Sequence, residues 1–292
     1  MPETSPVPRR TFARHVAPFA PLALAMLMNS GSHPGTGTSA PGAVEQLATG
    51  EPGFAQSCTS PLFPTETPAA LDGTDCNVSG NGGAETWQNE AKNNFCPSES
   101  PRPITIPEMV QLQGKVQQEQ NIPFGNPGQH PLTSKPGPAR DRTALVALGE
   151  GNEVVLEGYV RIARQEGAES VNCGSHVPNT PDDHDIHISI VQNQNDTECS
   201  GVVVEMTPHH RPTEWNQKNV QAVADSHLLV RVTGQLMFDS SHSPCINGSS
   251  IPGDPARAAF WEVHPIYRFE VCTQGNCSSG NGWLPLEAWK ET

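Results

Sequence analysis

Asp185 and His187 stand two residues apart in DDHDIHISIV, and Glu262 and His264 repeat that spacing in WEVHPIYRFEV. Successive side chains of a β-strand point to opposite faces, so residues two apart share one. The other face is apolar in both segments: Ile186, Ile188 and Ile190 in the first, Trp261 and Val263 in the second. Glu205 joins the set from GVVVEMT, opposite Val202, Val204 and Met206. Imidazoles and carboxylates side by side on strands offer three kinds of chemistry. His187, Glu205 and His264 could ligate a divalent metal such as zinc. The same groups could move protons, or hydrogen-bond a polar ligand. Two loops add candidate ligand-binding residues: Arg211 as an anion contact after His209 and His210, and Asp239 with His242 in FDSSH, where the chain leaves a strand.

The ordinary alternative is a solvated strand face, where polar residues are expected. Nothing like H-E-x-x-H is present. The oxygen-rich run at 182–185 lacks the glycine and terminal glutamate of a calcium loop. Adjacent His209 and His210 cannot both enter one site from extended backbone. No serine or cysteine sits in a nucleophile-elbow context.

The elements that must position these residues begin at 153. Residues 153–163 alternate Val154, Leu156, Val160 and Ile162, interrupted by Gly158 where a bulge or bend would fall. Strands follow at 185–191 and 201–207. A helix over 216–227 carries Val220, Val223 and Ala224 at helical spacing. Further strands occupy 227–239, with Gly234 at the centre, and 260–272, with Trp261, Val263, Tyr267 and Phe269 inward. The order is strand, strand, strand, helix, strand, strand. It resembles the OB-fold, a five-stranded Greek-key barrel, over about residues 143–273. A generic β-sandwich remains the alternative. The resemblance implies that the third strand lies between the second and fifth, setting Glu205 between His187 and His264 on a face OB-folds use for ligands. The strings ESVNC, DIHI, VEMTPHHRP, TGQLMFDSSH and WEVHPI also resemble exported bacterial proteins, a resemblance that brings no activity with it.

The expected fold class is therefore mainly β, an OB-like barrel at 143–277 with one helix between strands three and four, followed by a tail at 278–292. A small helical, disulfide-bearing segment at 58–142 precedes it. There Trp87, Ala91 and Phe95 fall at helical spacing. Thr105 and Glu108 fit a capping box ahead of Met109, Leu112 and Val116 in a helix to about residue 121. Residues 122–142 are a proline-rich connection.

Residues 1–28 place Arg9, Arg10 and Phe12 before a weakly apolar run, and resemble a twin-arginine export signal with Pro8 out of pattern. Residues 29–57 read as a flexible linker. Eight scattered cysteines without zinc-knuckle spacing point to disulfides in an oxidising compartment. Cys173 with Cys199, and Cys245 with Cys272 or Cys277, are the expected pairs. Periplasmic or secreted location follows, and no stretch is long enough to span a membrane. A net charge of −14 disfavours nucleic acid as a partner. Three functions fit: an exported module binding a polar ligand or partner, a metal-dependent hydrolase with phosphodiesters as one candidate substrate class, and a structural envelope protein.

Overall fold

A computed structural model describes residues 80, 86–96, 100–118, 142–167, 169–172, 184–253, 255–275, 277 and 281–291. Residues 1–28 and 29–57, expected as an export signal and a linker, and Cys58, Cys76 and Cys173 lie outside the described residues. The strands are β1 (Arg102–Ile104), β2 (Glu153–Gln165), β3 (Ile186–Val191), β4 (Val202–Met206), β5 (Leu229–Phe238), β6 (Trp261–Cys272) and β7 (Trp283–Pro285). The helices are α1 (Thr86–Lys92), α2 (Ile106–Gln118), α3 (Thr143–Ala147) and α4 (Gln217–Asp225).

β2 pairs twice. Its first half, to Tyr159, lies antiparallel to β5, and its second half, from Tyr159 onward, lies antiparallel to β3. β3 continues to β4, β4 runs parallel to β6, and β6 returns to β5. The sequence β2-β3-β4-β6-β5 thus closes on itself as a five-stranded barrel, with α4 between β4 and β5 in the chain. This is the strand order of the OB-fold.

Two glycines make the closure sterically feasible. Gly158 sits where β2 changes partner, and a Cβ there would lie 2.7 Å from the Val191 carbonyl oxygen. At Gly234 a Cβ would lie 2.5 Å from the Pro265 carbonyl oxygen, beside the register shifts between β5 and β6.

Val154, Leu156, Ile188, Ile190, Val202, Val204, Val232, Phe238, Trp261, Val263 and Phe269 fill the barrel, all fully buried. The β2–β3 register shifts between Val160 and Ile162. That irregularity turns Ala163, not Ile162, into the core. Tyr267 also departs from simple alternation. It lies outside the main core, tilts against the Phe95 ring and donates its hydroxyl to the Asn94 carbonyl.

α2 begins with the expected box: Glu108 Oε2 accepts from Thr105 N at 2.7 Å, and Thr105 Oγ1 accepts from Glu108 N at 3.3 Å. Its Met109, Leu112 and Val116 join the core. Asn216 caps α4 by accepting from Asn219 N. Residues 143–147 are helical rather than the start of the β region. The tail is not free either, since β7 pairs with β6 and Leu286 and Trp289 are buried.

The observed disulfides are Cys199–Cys245 and Cys272–Cys277, and Cys96 is also disulfide-bonded. The expected pairs, Cys173 with Cys199 and Cys245 with Cys272 or Cys277, are both thereby corrected. The turn bearing Cys199 leads into Gly201, whose carbonyl accepts from Ala258 N, and Arg257 in turn holds Cys245 N through its own carbonyl. The loop after β5 therefore brings Cys245, not Cys173, to Cys199. Among the described residues no helix is long and apolar enough to cross a membrane.

The glycine contacts generate a prediction for urea unfolding. Gly158→Ala and Gly234→Ala should each cost about 1–3 kcal/mol through overpacking. Gly114→Ala, in α2 with open space around it, should instead stabilise by up to about 1 kcal/mol. Equal effects at all three positions would contradict the bend argument.

Candidate functional site

Strand register builds the site. Across the antiparallel β3–β4 pair His187 stands directly opposite Glu205. Across the parallel β4–β6 pair Val204 stands opposite Val263, which sets Glu205 beside Glu262 and His264 on the outer face. Glu205 consequently lies between two imidazoles. His187 Nε2 is 3.0 Å from Oε1, and His264 Nδ1 is 2.7 Å from Oε2. Neither contact has the alignment of a hydrogen bond, and both Glu205 oxygens are without a hydrogen-bond partner.

From His264 the contacts continue around a ring. His264 Nδ1 lies 3.1 Å from Glu262 Oε1 in hydrogen-bond geometry. Arg257 donates to Glu262 Oε2 at 2.6 Å and to Asp239 Oδ2 at 2.7 Å. Asp239 Oδ2 also meets His242 Nδ1 at 2.7 Å, and the His242 ring stands edge-on to His187 at 5.4 Å. Asp185, at the entry to β3, faces the same cluster with its oxygens unpartnered. Its ligand atoms and those of Glu205 and His264 lie within 4.8 Å of one another.

This face points away from the barrel interior, as the alternation requires, yet it is not solvated. Asp185, Glu205, Asp239, Arg257, Glu262 and His264 are 0% exposed, and His187 is 4% exposed. The cover comes from outside the barrel. Gln88 of α1 donates to Asp239 Oδ1 at 3.1 Å and accepts from Ser240 N and its hydroxyl. Lys92 pairs with Glu169 at 3.2 Å, and Glu169 lies 3.7 Å from His187 Nε2. Glu166 approaches His187 Nδ1 at 3.3 Å. Above this edge lies a cavity of about 230 Å³ lined by Gln88, Asn89, Lys92, Glu169, Ser170, Ser241 and His242.

The electrostatics follow from burial and proximity. Four fully buried carboxylates, on Asp185, Glu205, Asp239 and Glu262, face two permanent cations, Lys92 and Arg257. Lys92 is already paired with Glu169, so the buried carboxylates outnumber the cations that serve them. In the metal-free protein burial acts to lower His264, but Glu205 and Glu262 outweigh it and raise the imidazole to about 10. His187 is likewise held well above its usual range, against burial, by Glu205 and Glu166. Burial opposes ionisation of Glu205, yet His187, His264 and Lys92 keep it well below the usual carboxylate range. Asp185 behaves oppositely, pushed up to about 6 by burial and by Glu169.

Of the residues singled out in the sequence, Asp185, His187, Glu205, Asp239, His242, Glu262 and His264 fall in this cluster. Arg211 does not; it donates to the backbone carbonyl of His184 and so braces the entry to β3. His209 reaches the Val171 carbonyl, and the His210 ring packs against Phe95 and Trp215. Sequence reasoning missed Lys92, Gln88 and Arg257. Gln88 and Lys92 are four apart on α1, a spacing that puts them on one helical face, and this was the available signal. Comparison with protein-family models, with curated proteins and with solved structures returns no match to the chain.

Asp239 is the pivot of the ring, and its charge state makes a testable case. Burial opposes its ionisation, but Lys92, His242 and Arg257 hold it well below the usual carboxylate range. A carboxylate so depressed contributes stability that is present above about pH 4 and is lost as pH falls through its folded value. Asp239→Asn should therefore cost about 1–3 kcal/mol at pH 7, because it removes one of the two carboxylates that hold buried Arg257 and leaves Glu262 alone to pair with it. In urea melts the gap between variant and parent should narrow as pH drops below about 4. A gap independent of pH would show that Asp239 contributes by packing alone.

Proposed function

We propose that the chain is an extracytoplasmic OB-type binding module that takes a small polar ligand in the cavity between α1, the 169–170 turn and the loop after β5. The observation that carries this reading is the lining of that cavity: every wall residue is polar or charged, and the volume is about 230 Å³. Small-molecule sites need a few placed polar groups to fix orientation. His242 supplies one. With Nδ1 engaged by Asp239, its Nε2 is the nitrogen left to the cavity. The carboxylate also fixes the tautomer, as a neighbouring hydrogen bond does for imidazoles generally.

A large partner is less well suited to this site. The strand face that could have met one is covered by α1, and the net charge of −14 repels polyanions. Several disulfides and the leader-like N-terminus support export to the periplasm or beyond. A second reading, metal-dependent hydrolysis in the same cavity, is favoured by the unpartnered carboxylates and imidazole beneath it. It would require a cation there to activate water.

An NMR screen with a library of small polar fragments tests the binding reading. Hits should shift the His242 ring signals, and Ser241→Trp, which fills the cavity, should abolish them. Hits that survive Ser241→Trp, or a library without hits at millimolar concentration, would sink the proposal.

A further inference from the structure

We infer that Asp185, Glu205 and His264 form a binding centre for a divalent transition-metal cation of the zinc class. The argument starts from unfilled lone pairs. Both oxygens of Asp185, both oxygens of Glu205 and Nε2 of His264 are buried without a hydrogen-bond partner. Buried polar groups are almost always satisfied, and each exception calls for an explanation. Five acceptor-type atoms on three residues thus lack a hydrogen bond in one place, the Glu205 oxygens having only ion-pair contacts with His187 and His264, and together they match what a cation takes up.

Asp185 is the most telling member. It is 0% exposed and makes no ion pair within 4.0 Å among the described residues. An isolated buried carboxylate is costly. β3 nonetheless delivers it to the cluster, immediately before the core-facing Ile186. Ligand atoms from the three residues fit within 4.8 Å of one another. A cation with bonds of about 2.0–2.2 Å has ligands no more than about 4.4 Å apart, so the three residues need close by at most a few tenths of an ångström to share one.

The surroundings of His264 have the form that metal-bound imidazoles require. Nδ1 is bonded to Glu262 Oε1, and Glu262 is itself fixed by Arg257. A carboxylate on the far ring nitrogen sets tautomer and orientation and raises ligand basicity. The same nitrogen also lies 2.7 Å from Glu205 Oε2, so Nε2 is the ring nitrogen that no side chain occupies. His187 contacts Glu205 from the other side and stands outside this trio as a positioning residue. The donor set of two carboxylates and one imidazole suits zinc or manganese, and it is too small for calcium, which takes six to eight oxygens. A dication would also offset the excess of buried carboxylates over buried cations. A three-ligand set leaves a coordination position open. This centre does not depend on the ligand reading of the cavity above it.

Full-length mature protein, stripped with EDTA and titrated calorimetrically with Zn²⁺ and separately with Mn²⁺, gives the test. One equivalent of at least one of these ions should bind. Asp185→Asn and Glu205→Gln should each weaken binding more than about tenfold, while Asp225→Asn, at an exposed carboxylate at the end of α4, should leave it unchanged. Thermal melts supply a second readout that does not depend on affinity. In stripped protein Asp185→Asn should raise Tm, because it removes an unpaired buried charge, and added Zn²⁺ should raise Tm only in the parent. No binding of either ion, binding indifferent to both carboxylate variants, or a lower Tm for stripped Asp185→Asn would overturn the assignment. The last result would make the cluster a salt-bridge lock. Loss of fragment binding alone would leave the centre standing and remove only the ligand reading.

Discussion

Everything in this molecule depends on β2 serving two neighbours. One strand must pair with β5 along its first half and with β3 along its second. A residue with a side chain at Gly158 would collide with β3 at the changeover. Once β2 bends, the sheet closes, and closure forces β4 alongside β6 in parallel. That single parallel contact puts Glu205 against His264. The chemistry on the outer face is thus a by-product of a topological requirement on the inner one.

Barrel closure does not explain why the outer face is buried. Eight ionisable groups (Lys92, Asp185, His187, Glu205, Asp239, Arg257, Glu262 and His264) are at most 4% exposed. Desolvating so many charges rarely adds net stability, since well-packed apolar residues of similar volume often do as well or better. The cluster is accordingly poor as glue. Its geometry is better understood as preorganisation: Arg257 and Glu262 fix His264, Gln88 and Arg257 fix Asp239, and Asp239 fixes His242. Each charged group near the cavity is held by another behind it.

Much of this was legible in the letters, and the failures have physical causes. Alternation in Ile186, Ile188 and Ile190 correctly turned His187 outward, and the element order placed its strand beside that of Glu205. The capping box at Thr105 and Glu108 formed as read, because it is a local interaction. Ile162 and Tyr267 were misassigned because irregularities in β2 and around β6 change the phase that alternation assumes. Burial of the site was invisible for a different reason. It is imposed by α1, whose Gln88 and Lys92 are far away in sequence from the strands they cover. Disulfide pairing failed similarly, since loop paths, not spacing, bring Cys199 to Cys245.

The docking of α1 has a consequence for how the chain is made. The helix leaves the ribosome before every strand it touches. Its bonds span 151 residues from Gln88 to Asp239 and 144 from Ala91 to Gln235, and Asn94 just beyond it reaches 173 residues to Tyr267. Contacts of such separation form late, because the intervening chain must first be ordered. A partly synthesised chain therefore presents an acidic, uncovered sheet with no site at all. The cluster comes into being as one of the last events of folding, when α1 closes over β5 and β6.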